Sequence, residues 1–154
     1  MRSSAFDALC VSLAAALPVG EAILDGEIVH LGSDGRPRFY PLLRRRGDPR
    51  FYTFDLLWLD GQDLRALPLI ERKRLLRSIV AQEPTSVLYA DHVEGTGVDL
   101  FRLVCEQDLE GIVAKLKTGL YTPEATTWVK IKNRGYSQAE ARRELFERRT
   151  AVGT

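Results

Sequence analysis

Cysteine is nearly absent. Only Cys10 and Cys105 occur in 154 residues, each inside an apolar helical pattern. Their spacing excludes a zinc knuckle and a disulfide framework, and it fits a reducing, cytoplasmic setting. No apolar run approaches the roughly 20 residues that span a bilayer, which excludes a hydrophobic membrane-spanning helix. The N-terminus lacks the charged, apolar and small-residue order of a signal peptide. A surplus of one charge is missing too: 22 basic against 21 acidic residues leave +1, so no global field draws the chain to nucleic acid or membrane. Neither GxGxxG nor GxxxxGK with Ser or Thr occurs, so any phosphate must be held by side chains. Lysine is scarce as well, with Lys73, Lys115, Lys117, Lys130 and Lys132 against 17 arginines and none in the first 72 positions.

What is present is a globular composition, 45% hydrophobic, at a length that gives one domain with a real core. Ser4 to Leu17 places Phe6, Leu9, Cys10, Leu13 and Leu17 on one helical face, with Ser4 and Asp7 as a capping pair and Pro18 as the stop. Glu21 to Leu31 reads as one or two strands running into Gly32-Ser33-Asp34-Gly35, and Phe39 to Arg46 as a short helix. Phe51 to Leu59 is a central strand that stops at the hairpin turn Asp60-Gly61.

After Pro68, Leu69 to Val80 predicts a packing helix with Leu69, Leu76, Ile79 and Val80 inward and Glu71, Arg72, Lys73 and Arg77 largely outward. Val87 to Ala90 is a short strand, Val98 to Gln107 a third helix, and EGIVAK and WVKIK two more strands that read as buried. Ser137 to Arg149 predicts an exposed capping helix or tail. The pattern is α+β, without the strict alternation of a dinucleotide-binding fold.

Polar residues interrupt these strands in pairs. Strand alternation puts Lys130 and Lys132 on one side with Trp128, and Val129 and Ile131 on the other. Two ammoniums on one face either sit in water or meet an anion such as a polyphosphate. Asp25 and Glu27 repeat the geometry with opposite sign, as an edge turn or as ligands for a hard cation or ribose hydroxyls. Glu110 stands at the start of a strand, as a cap or a metal ligand, and Phe54 lies inside the most apolar strand.

Taken in order, Leu24-Asp25-Gly26-Glu27-Ile28-Val29, Phe51-Tyr52-Thr53-Phe54-Asp55-Leu56-Leu57, Glu110-Gly111-Ile112-Val113-Ala114-Lys115 and Trp128-Val129-Lys130-Ile131-Lys132 resemble motifs III, IIIa, IV and V of ATP-dependent DNA ligases. The stretch from Leu59 to Arg72 is similar to the segment that follows motif IIIa in bacterial members. The resemblance spans about Phe6 to Arg134 and implies a partial adenylation domain over 1–134, ATP-grasp-like, with antiparallel sheets packed by helices, followed by a charged tail over 135–154. It implies that Glu27 contacts ribose or metal with Asp25 in support, Phe54 stacks on adenine, Glu110 binds Mg²⁺, and Lys130 and Lys132 hold the α-phosphate of ATP. The implied substrate is nicked double-stranded DNA, in repair or recombination, with no membrane partner.

The family reaction begins with attack on ATP by a lysine of a K-x-D-G motif upstream of Asp25-Gly26-Glu27, where this sequence has no lysine at all. After Lys132, 22 residues remain, fewer than the five strands of the OB fold that usually follows. The expectation is therefore a ligase adenylation domain that does not form the AMP-lysine intermediate by itself. Its origin is a truncated chain, half of a split ligase completed by a separate chain, or a non-catalytic nucleotide- or DNA-binding remnant.

Overall fold

The computed structural model describes residues 6–35, 48–81, 85–125 and 127–137. The expected helix over Phe39–Arg46 and the expected tail helix after Ser137 lie outside them. In order along the chain come α1 (Asp7–Ala16), β1 (Ala22–His30), β2 (Pro49–Leu59), β3 (Gln62–Asp63), α2 (Leu69–Ile79), β4 (Val87–Tyr89), α3 (Gly97–Glu106), β5 (Gly111–Lys115) and β6 (Trp128–Lys132). They fall into two compact units, one of 1–91 with 116–126 and one of 92–115 with 127–154.

In the first unit β2 is central. It pairs antiparallel with β1 over its whole length, antiparallel with β3 at Trp58 and Leu59, and parallel with β4 at Phe51 to Thr53. The sheet is thus mixed, because β4 arrives after a helical crossover and not a hairpin. β2 and β3 are joined by Asp60-Gly61 with φ of 43° and 88°, the left-handed pair that a two-residue hairpin requires. The Asp60 carboxylate then accepts the N–H groups of Gly20 at 2.9 Å and Glu21 at 2.8 Å, fastening the start of β1 to this turn.

The core forms where α2 crosses the sheet: Leu56, Leu64, Leu76, Ile79, Val80 and Val87 are buried together, with Leu13, Leu17 and Leu24 packed against them. Helix α1 starts at Asp7 behind Phe6 with no side-chain cap; Ser4, the first of the pair expected to cap it, lies outside the described residues. Its Leu9 is buried but Cys10 is exposed.

Helix α2 corrects the sequence reading more sharply. Arg72 and Lys73, expected to face outward, are 2% and 7% exposed. Both occupy positions three and four residues after Leu69, on the inward stripe. Their polar ends are satisfied there: Arg72 pairs with Asp55, and the Lys73 ammonium donates to the Ala90 carbonyl at 2.8 Å and lies 4.6 Å over the Tyr89 ring.

In the second unit α3 packs on β5, and β5 pairs antiparallel with β6, Gly111 opposite Lys132 and Lys115 opposite Trp128. The expectation of buried strands is corrected here. Val113, Trp128, Val129 and Ile131 are exposed, since among the described residues this ribbon has two strands. Among the described residues no helix is long and apolar enough to cross a membrane.

Candidate functional site

The polar residues of β1 and β2 sit where the sheet is irregular. Asp25 is opposite Asp55 and Gly26 opposite Thr53, so the register skips Phe54 and β2 carries one residue more than β1 at this step. Such a bulge bends the strand and re-aims a side chain. It explains how Phe54 leaves the apolar pattern of β2 and stands half-buried beside the turn-free stretch Asp25-Gly26-Glu27. Gly26 is required in that place, since a Cβ there would meet the Tyr52 carbonyl and stand 2.6 Å from the Phe51 ring. Glu27 is exposed and Asp25 half-buried.

Behind this edge lies a buried ion pair that sequence reasoning missed. Arg72 Nε donates to Asp55 Oδ1 at 2.7 Å and Arg72 Nη2 to Oδ2 at 2.8 Å, with both side chains under 5% exposed at 3% and 4%. Asp55 Oδ1 also accepts the Leu56 N–H at 2.9 Å, and Arg72 Nη1 donates to the Leu67 carbonyl at 2.5 Å. A charge pair so fully desolvated persists only when its remaining hydrogen-bonding capacity is met. The signal was available in the heptad-like spacing Leu69, Arg72, Leu76, Ile79, which marks position 72 as inward. Tyr121 was also missed: its ring lies 5.8 Å from the Arg72 guanidinium carbon, and its phenol reaches Asp25.

The other polar group belongs to the second unit, built on the turn from α3 into β5. Asp108 has φ 51°; the Leu109 N–H donates to Val104 O at 2.9 Å and the Asp108 N–H to Cys105 O at 3.1 Å. That is a Schellman closure with aspartate in the position glycine usually takes. The Asp108 carboxylate accepts the Ser137 N–H at 2.9 Å and its hydroxyl, and the Asn133 side chain donates to Leu109 O at 3.0 Å. The Asn133 N–H donates to Glu110 O at 2.8 Å. The backbone of Glu110 is thereby fixed at the mouth of the hairpin, directly before Gly111, whose partner is Lys132.

Gly111 itself, at φ 151°, allows the close approach, for a Cβ there would meet the Ile131 carbonyl and stand 2.9 Å from Lys132 Cα. On β6, Lys130 lies 5.4 Å over the Trp128 ring, so the two share a face as alternation requires, and Lys130 and Lys132 are exposed. The structure therefore groups Asp25, Glu27 and Phe54 in one unit, and Glu110, Lys130 and Lys132 in the other.

The comparisons with known proteins agree with these ordered segments. The family described as the ATP dependent DNA ligase domain matches residues 3–132. The chain belongs to this family. A DNA ligase-like protein of Bacillus subtilis strain 168 derived from the SPbeta prophage, LigB, is 32% identical over 124 residues, 75% of this chain and 46% of its own length. The multifunctional non-homologous end joining DNA repair protein LigD of Mycobacterium tuberculosis is 34% identical over 126 residues, 79% of this chain and 16% of its own.

Among solved structures, the ligase domain of Mycobacterium tuberculosis LigD aligns at TM-score 0.65 and 32% identity over 82% of this chain and 41% of that one. A mycobacterial DNA ligase D complexed with ATP and MES aligns at TM-score 0.66 and 32% identity, over 83% and 42%. The fold is the α+β nucleotidyltransferase domain of ATP-dependent DNA ligases. This ligase-family chain spans less than half the length of the relatives it matches, 46% of LigB and 16% of LigD.

Proposed function

We propose that the chain is the nucleotide-handling part of an ATP-dependent DNA ligase acting on nicked duplex DNA in repair or recombination. The observation that carries this reading is the β5–β6 hairpin: two lysines on one face of β6, and a glutamate whose backbone is pinned beside the second of them. Nucleotidyl transfer asks a protein mainly to position phosphate and to neutralise charge that develops on it. Lys130 and Lys132 supply that charge to the α-phosphate and to departing pyrophosphate. Phe54, re-aimed by its bulge, stacks on adenine, and Glu27 takes a ribose hydroxyl.

Glu110 of the second unit and Glu27 of the first are each, taken singly, a candidate carboxylate for Mg²⁺. Among the described residues no three His, Cys, Asp or Glu side chains cluster as a complete cage. A hard cation held by a single carboxylate takes its other oxygens from nucleotide phosphates and water, so either donor fits it. When bound, Mg²⁺ supplies Lewis-acid polarisation of the phosphoryl oxygen.

The family reaction opens with attack by a lysine on the α-phosphate, which breaks the bond to pyrophosphate and leaves AMP on the lysine nitrogen. No lysine precedes position 73, so we propose that these 154 residues do not form this adenylate alone. The test is labelling with α-labelled ATP and Mg²⁺. The expected result is no covalent label on the chain, and label once an upstream K-x-D-G segment is supplied in cis or by a second polypeptide. Lys130→Ala or Glu110→Ala then abolishes it. A covalent adenylate on any of the five lysines, or labelling indifferent to both substitutions, overturns the reading.

A further inference from the structure

The connection between β5 and β6 does not stay with its hairpin: residues 116–125 pack with the unit that holds β1 to β4. This strap closes the start of α2, whose first N–H groups have no side-chain cap. Leu69 N donates to Gly119 O at 2.9 Å and Ile70 N to Lys117 O at 3.0 Å, while Tyr121 N donates to Arg65 O at 3.0 Å. Arg72 Nη1 reaches Gly119 O at 3.4 Å.

Tyr121 is thereby delivered to one place. Its ring meets the Arg72 guanidinium, which Asp55 grips with two bonds, and its O–H donates to Asp25 Oδ2 at 3.4 Å. Burial, together with the adjacent Asp25 charge, pushes the phenol above its ordinary value, so it remains a donor throughout the neutral range. Asp25 needs such a tether, because the β1–β2 register breaks between Asp25 and Gly26 and the ladder is irregular at that step.

We propose that Tyr121 is a positioning residue for the nucleotide: it holds the Asp25 carboxylate, and with it the stretch of β1 that presents Glu27 to ribose. The proposal rests on the nucleotide reading given above. The chain from the core is Asp55, Arg72, Tyr121, Asp25, and only its last member stands next to the ligand-facing edge.

The experiment is calorimetric binding of ATP and of 2′-deoxy-ATP to the full chain, for the wild type, Tyr121→Phe, Asp25→Ala and the double variant. Tyr121→Phe keeps the ring on Arg72 and removes only the O–H. The expected result is ATP binding weakened about 2- to 3-fold, as the loss of one long intramolecular hydrogen bond warrants. The preference for ATP over 2′-deoxy-ATP falls with it, the urea midpoint is unchanged, and Asp25→Ala, which removes the acceptor, gives at least the same loss with nothing added in the double variant. A Tyr121→Phe chain with wild-type affinity and wild-type preference overturns the proposal. So does an equal loss for both nucleotides accompanied by a lower midpoint, which marks a merely structural role. A wild type that binds neither nucleotide overturns the nucleotide reading itself, and this proposal with it.

Discussion

Replacing Arg72 with Met should be among the costliest single changes in the first unit. The substitution leaves the Asp55 carboxylate, 4% exposed, with the Leu56 N–H as a remaining partner, and strips the Leu67 carbonyl of its 2.5 Å donor. Removing one member of a buried pair costs about 3–5 kcal/mol, because the other charge stays desolvated. For a chain of 154 residues that converts to a fall of about 6–20 °C in Tm. The double change Asp55→Leu with Arg72→Met removes both charges and recovers most of the loss. It does not recover all, since the Leu67 carbonyl still lacks a partner, worth about 1–3 kcal/mol if water cannot reach it. The assay is urea unfolding followed by fluorescence in a Trp128→Phe background, where Trp58, bonded through Nε1 to Glu21 at 2.8 Å, reports on the first unit alone. If Arg72→Met lowers stability by less than about 1 kcal/mol, or if the double variant is as unstable as the single one, the pair is not the desolvated anchor described here.

Three further outcomes follow from geometry. Gly111→Ala, at φ 151° and against the Ile131 carbonyl, should cost about 1–3 kcal/mol of backbone strain and open the β5–β6 ladder, read as faster amide exchange at Ile112 and Asn133, the amides that flank the unbonded Gly111–Lys132 pair. Asp60→Gly keeps the left-handed turn but loses the carboxylate that receives Gly20 and Glu21, so it should destabilise by about 1 kcal/mol or more, whereas Asp60→Asn, which retains one acceptor oxygen, should lose less. Asp63 is held at about 2, below its ordinary 3.8, chiefly by the hydrogen bonds from the Arg65 side chain and backbone. A depressed carboxylate stabilises the fold above the unfolded value and loses that contribution as pH falls through its folded value, here between about 4 and 2. Carboxylate NMR should show Asp63 titrating in this low range and moving back up in Arg65→Ala, with little change in stability at pH 7 because the pair is exposed.

The elements were readable from the sequence wherever one residue pattern decided the outcome. FYTFDLLWL ending at Asp60-Gly61 could only be a strand and a tight hairpin, and Pro68 ahead of an apolar stripe could only open a helix. What could not be read was every feature set by two distant segments at once. The parallel pairing of Val87 to Tyr89 with β2 depends on where α2 returns the chain, and the bulge at Phe54 depends on β1 as much as on β2. Arg72 is an intermediate case. Its place on the stripe was visible, but charge argued against it until Asp55, itself hidden in an apolar run, could be seen facing it.

The same distinction governs the polar positions. The sequence named Glu110 by its motif, yet what fixes Glu110 is a set of neighbours with no motif of their own: the left-handed turn at Asp108, the hold of Asp108 on Ser137, and the two bonds of Asn133. None of these touches a ligand in the proposed reaction. They set the backbone from which a ligand is met, and a site residue held by backbone geometry tolerates little change in that support. Asn133→Ala makes the point testable. It removes the side-chain donor to Leu109 O but keeps the backbone bond to Glu110 O, so it should loosen the turn without unpairing β5 from β6. Amide exchange should rise at Leu109 and Glu110 while Ile112 and Ala114, whose N–H groups lie in the bonded pairs of the ladder, stay protected; equal exchange at all four would mean that the ladder alone, and not the turn, determines where Glu110 stands.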